Sequence, residues 1–449
     1  MVQQRTRTRV SYQTVGCRLN QYETERMAAA LSPYGFDRVS KNEPADLYII
    51  NTCTVTHRAD SDCRYLIRRA VRANPDARIV VAGCFVDNDP EKVAGMEPVD
   101  VIIPNNQKDA ISEILSEKFP DLFNAPPDKN CSDKVVEFHR HNRAWIKVSD
   151  GCNQTCSFCI LPRVRGRLAN RPSQEIIDEI NGLVAHDYEE VVLTGINIGY
   201  YRDRAAARSL DDLADLCDLI MRETDLGRIR ISSIEPQTVT DKLLATLADS
   251  GGRICRHWHI PMQSGSSRVL RQMRRPYDRD TYMRQVEKAR AAVPNTIIGA
   301  DIIVGFPGET EDDFNYSVEL AQSGLIDYLH VFSYSDRPQT DAADRTEKIN
   351  PELIKARNVT LKKISDSLKL QANQRQVGET LEVISEHRSS TDGHLWGVSD
   401  NYIRALMPES FESSKQIVRF SVQSADIKGV YGEIVPRSGT PHLNSIALL

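Results

Sequence analysis

Residues 151–159 read GCNQTCSFC and set Cys152, Cys156 and Cys159 in a C-x3-C-x2-C run, directly after the apolar, strand-like segment 144–148. Three thiolates at that spacing predict an iron–sulfur site with one iron open to an outside group, because a closed electron-transfer cluster takes four cysteines. Outward from this run, Cys17, Cys53 and Cys84 each close another strand-like stretch, VSYQTVGC, DLYIINTC and RIVVAGC. Ligands gather at the carboxyl ends of strands in open α/β sheets, so these three are expected to share a second site despite their separation. Two open clusters suggest chemistry at both. A structural zinc would need a second pair or histidines nearby, and no fourth ligand closely follows Cys159. The start MVQQRTRTRV lacks the apolar run of a secretory signal, so a reducing compartment is expected and disulfides are not. Cys63, Cys131, Cys217 and Cys255 lack this placement and read as inert thiols.

With 449 residues, 40% of them hydrophobic, the chain has room for two or three packed domains. Lys+Arg at 57 against Asp+Glu at 62 leaves a net charge of −5, so any nucleic-acid signal has to be local. No apolar window reaches membrane-spanning length. Arg64, Arg68, Arg69 and Arg72 recur at helical spacing, and Arg268, Arg271, Arg274 and Arg275 form another group; a solvated face accounts for either. Arg163, Arg165, Arg167 and Arg171 follow the tight triad closely, where contact with a phosphate or carboxylate is the more economical reading.

The pattern of apolar runs predicts an α/β protein in three parts. From the start to about residue 114, strands near 9–15, 46–51, 78–82 and 99–103 alternate with helices, a doubly wound arrangement. The stretch FNAPPDKNCSD then reads as a linker. Six further strands, near Trp145, Val192, Ile229, Trp258, Ile302 and Val331, alternate with helices and predict a partial (β/α)6 barrel whose chemistry sits at the carboxyl ends of its strands. From about Gln376, short β-rich runs predict a small antiparallel β-barrel, on which Arg388, Tyr402, Arg404 and Lys415 would make a basic and aromatic face; core packing and plain surface account for the same residues.

These motifs together resemble one family. GCNQTCSFC followed by ILPRVRGR is similar to the radical S-adenosylmethionine signature, and Cys17, Cys53 and Cys84 in GCRLNQYETE, NTCTVT and AGC resemble the N-terminal domain of the methylthiotransferases. The C-terminal barrel resembles their TRAM domain, an RNA-binding module. The domains implied are residues 1–125, 138–370 and 375–440. LTGINIGYY, RISSIEPQ, HWHIPMQSGS, MRRPY, DIIVGFPGET and HVFSYSDRPQT look like the MtaB-type branch, which acts on threonylcarbamoyladenosine in tRNA. The sister branches act on isopentenyladenosine in tRNA or on a ribosomal-protein aspartate. Gln339 stands where the family usually has glycine, and Arg202 follows Tyr201 where glycine is common.

The resemblance implies two four-iron clusters and S-adenosyl-L-methionine as cofactors. The open iron on Cys152, Cys156 and Cys159 would chelate S-adenosylmethionine, and its reductive cleavage would give a radical that takes hydrogen from the 2-position of the adenine. The cluster on Cys17, Cys53 and Cys84 would deliver the methylated sulfur. That carbon is beyond acid–base or nucleophilic side-chain chemistry, which is why the hard step falls to a cofactor. By the same resemblance, Thr194, Gly195 and Asn197 would approach the methionine part of the cofactor, Ser233 and Glu235 its ribose, and Gln263 with Asp301 to Gly305 its adenine. A plain turn is the competing reading of Gly305 to Gly308 in GFPGE. Arg163, Arg165 and Arg167 are candidates to read the substrate's carboxylate. A tRNA, a low-potential electron donor such as flavodoxin or ferredoxin, and a cytoplasmic location away from any membrane complete the expectation.

Overall fold

The computed structural model describes residues 8–96, 98–123, 126–128, 131, 134–139, 141–205, 209–386 and 393–436. Its first unit is a five-stranded sheet of β1 (Arg9–Thr14), β2 (Asp37–Arg38), β3 (Leu47–Thr52), β4 (Arg78–Gly83) and β5 (Val101–Ile103), in the order β2-β1-β3-β4-β5. All of its pairings are parallel. Side chains alternate across each strand, so Leu47 and Ile49 face α1 (Arg18–Leu31) while Tyr48 and Ile50 face α2 (His57–Ala73). The short helices α3 (Cys84–Asn88) and α4 (Pro90–Ala94) share the α2 side, and α5 (Ile111–Lys118) packs with α1. The order of the strands reverses between β1 and β3, the crevice where open sheets of this topology hold ligands.

Six parallel strands form the second unit: β6 (Ala144–Lys147), β9 (Glu190–Thr194), β10 (Arg228–Ile231), β11 (His257–His259), β12 (Ile297–Val304) and β13 (Tyr328–Ser333). They fall at the six positions the apolar runs indicate. Two three-stranded halves, β10-β9-β6 and β11-β12-β13, meet through the bridge Ile229 to Ile254, leaving β6 and β13 as open edges. A two-stranded ribbon of β7 (Ser149–Asp150) and β8 (Ala169–Asn170), with α6 (Leu161–Arg165) between, lies after β6 and has no counterpart in the sequence pattern. Helices α7 (Ser173–Val184), α8 (Leu213–Glu223), α9 (Asp241–Asp249), α10 (Ser267–Gln272), α11 (Arg279–Ala292) and α12 (Glu311–Ala321) cover the outside. The N-terminal unit closes against the β6 edge through α1, whose Tyr22 joins the barrel core and donates to Glu179.

The 24-residue helix α13 (Pro351–Gln374) packs on β13 and leads into a closed barrel of β14 (Thr380–Ser385), β15 (Trp396–Ser399), β16 (Arg404–Leu406), β17 (Ile417–Ala425) and β18 (Val430–Val435). The barrel is antiparallel except for β16 and β18, which pair in parallel at Ala405 and Val430. It docks on the amino ends of the central strands: Arg228 and Arg230 donate to the Glu382, Val398, Ser399 and Asp400 carbonyls, and Glu190 holds both guanidiniums from within. Two of its supposed RNA-facing residues are used in this docking. Tyr402, in the left-handed region at φ 71°, turns its ring onto His257 at 4.3 Å and accepts from Arg18 of α1 at 2.8 Å. Lys415 lies over the Tyr188 ring and donates to His186. Arg404 stays exposed beside Trp396, and Arg388 lies outside the described residues.

Candidate active site

Strands β1, β3 and β4 end side by side, so the cysteines that follow them reach one rim of the N-terminal sheet. Gly16 sits at φ 104°, and a Cβ there would lie 2.9 Å from Cys53 Sγ, so the Cys17 and Cys53 turns touch and only glycine fits between them. Asn20 ties the turns together by donating to the Val15 and Thr52 carbonyls. In the tight triad, Gly151 at φ 67° leaves no room for a side chain against the Arg167 carbonyl. Cys152 Sγ accepts from Gln154 N at 3.3 Å and from Asn197 Nδ2 at 3.4 Å, and Cys156 Sγ accepts from Arg275 Nη1 at 3.1 Å.

The segments that carry the two triads pack together. Helix α6, which follows Cys159, packs on α3, which begins at Cys84, and Cys84, Ile160 and Val164 form a buried cluster across the junction. A cleft of about 1380 Å³, its open mouth included, is lined by Cys152, Cys156 and Cys159 and by Val55 and Thr56 just beyond Cys53. Val55 and Phe332, from different units, are 44% and 47% exposed, and both line this cleft. Apolar walls of this kind suit the faces of an aromatic ligand.

Of the residues proposed for the cofactor, Asn197, Ser233, Glu235, Gln263 and Asp301 line the cleft. Thr194 and Gly195 do not: the Thr194 carbonyl accepts from Val148 N, and Gly195 packs against Ser149. GFPGE is a turn in which Gly305 N donates to Glu309, away from the cleft. Asp301 accepts from His259 Nε2 at 2.9 Å and His330 Nδ1 at 3.2 Å; burial opposes its charge, but the two imidazoles outweigh it and hold the carboxyl well below the usual range. Burial raises the Glu235 carboxyl despite its ion pair with Arg275. Burial likewise pushes the Cys53 and Cys159 thiols up to about 12, so binding a metal there has to release protons. Arg275, which the sequence spacing puts on a solvated helix face, is instead enclosed beside Cys156. Arg165, a candidate for the substrate, has no exposed side-chain surface: it pairs with Glu23 and Asp150 and donates to Cys84 Sγ. Its charge is neutralised inside the fold, and no surface remains to meet a substrate. Arg163 and Arg167 are both exposed, and neither makes an ion pair among the described residues.

Residues 9–104 match the family model described as "Uncharacterized protein family UPF0004", and residues 146–321 match "Radical SAM superfamily". The threonylcarbamoyladenosine tRNA methylthiotransferase MtaB of Bacillus subtilis is 33% identical over 97% of this chain and 98% of its own length. That of Chlamydia pneumoniae is 37% identical over 94% of this chain and 97% of its own. This chain belongs to the radical S-adenosylmethionine methylthiotransferases of the MtaB type. The tRNA-2-methylthio-N(6)-dimethylallyladenosine synthase of Acidothermus cellulolyticus, 34% identical over 85% of this chain and 78% of its own length, is also similar. Among solved structures, the radical S-adenosylmethionine methyltransferase TsrM from Kitasatospora setae shares the fold, with a TM-score of 0.54 at 15% identity over 75% of each chain.

A methylthiotransferase of this family works with two four-iron clusters and S-adenosyl-L-methionine, and the residues present fit them. N–H donors point at the sulfurs of Cys84, Cys152 and Cys156, an arrangement suited to thiolates on iron. Asn197 Oδ1, on the cleft residue that also donates to Cys152, is buried without a hydrogen-bond partner among the described residues, ready for a donor such as an amine.

Proposed function

We propose that this enzyme adds a methylthio group to the 2-position of N6-threonylcarbamoyladenosine next to the anticodon of tRNA, with Cys152, Cys156 and Cys159 holding the radical-forming cluster and Cys17, Cys53 and Cys84 the auxiliary one. The observation that carries this reading is the packing of the Cys84 turn on the helix that follows the tight triad, beside a cleft lined by Cys152, Cys156 and Cys159 and by Val55 and Thr56. When bound, the clusters and S-adenosylmethionine supply a radical that activates an aromatic C–H bond and the sulfur that replaces the hydrogen. The chain supplies the rest. Asn197, Ser233, Glu235 and Gln263 bind along the strand ends, Arg275 orients Cys156, and Val55 and Phe332 flank the place of the adenine and exclude water. Arg163, which follows the cleft residues Leu161 and Pro162, and the exposed Arg167, both without an ion pair among the described residues, are the cations for the threonylcarbamoyl carboxylate.

The threonylcarbamoyl substrate is favoured because the two MtaB relatives align over nearly their whole lengths. A low-potential donor such as flavodoxin or ferredoxin would reduce the clusters in the cytoplasm. No described helix is long and apolar enough to cross a membrane. The test is anaerobic turnover of the reconstituted enzyme on tRNA carrying either threonylcarbamoyladenosine or isopentenyladenosine, read by nucleoside mass spectrometry. Product from the first alone is expected; equal product from both would overturn the substrate, and label transferred to a ribosomal protein would overturn tRNA as the acceptor.

A further inference from the structure

Arg165 belongs to the central barrel unit, in the helix after the tight triad, yet its guanidinium serves the other unit's cysteine site. Its Nε donates to Cys84 Sγ at 3.2 Å, while Nη1 and Nη2 meet Glu23 and Asn20 of α1. Asp150 Oδ2 lies 3.2 Å from Nη1. Asn105 of the N-terminal unit reaches the same sulfur at 3.5 Å while donating to the Val164 carbonyl at 2.9 Å, so the junction is laced from both sides. Arg165, Lys108 and Lys147 stand against Glu23 and Asp150, and Asp87 lies close enough to feel both Lys108 and Arg165, three cations to three anions. At the tight triad, the ion pair of Arg275 among the described residues is with Glu235.

We infer that Arg165 is a positioning residue of the auxiliary cluster, through which the barrel unit orients the Cys84 thiolate across the interface and sets the cluster's reduction potential. A hydrogen bond donated to a ligand sulfur favours the more negative, reduced cluster, so Arg165 raises the potential. The auxiliary site is therefore complete only when the two units are docked. This inference rests on Cys17, Cys53 and Cys84 being the cluster ligands.

The test uses the full chain with Cys152, Cys156 and Cys159 replaced by alanine, so that only the auxiliary site binds iron. It is reconstituted anaerobically with Arg165 intact, with Arg165→Lys and with Arg165→Gln. Absence of iron in the Arg165 protein would overturn the ligand assignment and the inference with it. With about four irons in each protein, redox titration followed by electron paramagnetic resonance is expected to show the midpoint moved to more negative potential in Arg165→Gln. A smaller shift is expected in Arg165→Lys, which keeps the charge but not the planar donor. Selective loss of auxiliary iron from Arg165→Gln also supports the inference, provided the same change in the chain with all six cysteines leaves the tight site loaded. Equal midpoints and spectra in all three proteins would overturn it whatever their melting temperatures, since a merely structural ion pair changes stability and not potential. Should Arg165→Gln fail to fold, Arg165→Lys is judged by the same criterion.

Discussion

Each triad has one enclosed arginine on one cysteine sulfur, held there by a carboxylate: Arg275 with Glu235, and Arg165 with Glu23. Sequence spacing places Arg165 near the chemistry and Arg275 on a solvated face, and gives neither this role, because it cannot say which carboxylate or sulfur the folded chain will offer. The cysteines themselves separate by function. Replacing Cys152, Cys156 and Cys159 with alanine should halve an iron content of about eight and abolish cleavage of S-adenosylmethionine. Replacing Cys17, Cys53 and Cys84 should instead leave 5′-deoxyadenosine formation and remove the methylthio product, as chromatography of the two products will show. Glu23 adds a pH signature. Burial works against its charge, yet Lys108 and Arg165 lower its carboxyl from 4.5 to about 2. Its folded value lies below its unfolded one, so its contribution is complete above about pH 4.5 and fades as pH falls towards 2, and the shift corresponds to about 3 kcal/mol. Glu23→Gln should flatten that part of the melting profile and cost about 3–5 kcal/mol at neutral pH, because it leaves a buried lysine uncompensated. Thermal melts across this range check both statements.

The strands and most helices are legible in the sequence because each apolar run repeats at the period of its element and ends at a turn. Short pieces are not: β2, β7 and β8 have two residues each, too few for any period to show. Gln339 holds its loop in a conformation that favours glycine. It occupies the left-handed region at φ 71°, where glycine would rest without strain. Gln339→Gly is expected to leave the loop unchanged and raise stability by up to about 1 kcal/mol, measurable by denaturant unfolding. The docking of the C-terminal barrel cannot be anticipated from pattern. Glu190, Arg228 and Arg230 sit in strands that read as ordinary alternation, yet all three are fully enclosed between the two barrels. Glu190→Gln should therefore destabilise the protein by about 3–5 kcal/mol, far more than an exposed glutamate would, since two buried guanidiniums lose their counter-charge.

For the whole molecule, the question is where a tRNA would lie. With Tyr402 and Lys415 of the C-terminal barrel spent on docking, the α2 face becomes the stronger candidate. Arg58, Arg68 and Arg72 are exposed and Arg64 half-exposed, none pairs with a carboxylate among the described residues, and Tyr65 is 56% exposed between them. The helix starts beside Thr56 at the mouth of the cleft. Changing the four arginines to glutamine should weaken tRNA binding and flatten its salt dependence by roughly one unit of slope for each phosphate no longer neutralised. Unchanged binding across a salt series would exclude this face. Deleting the C-terminal barrel would be a less clean experiment, because Arg228 and Arg230 would lose their carbonyl acceptors. The sequence by itself determined the three-part α/β plan and the family, since strand and helix periods are local and cysteine motifs are chemically distinctive. Only the tertiary structure decided that the segments carrying the two triads pack together, that Arg165 is enclosed against Cys84, Glu23 and Asp150, and that Tyr402 points inward. These are pairings between residues far apart in the chain, fixed by the need to neutralise charge and satisfy hydrogen bonds once the domain surfaces are buried together.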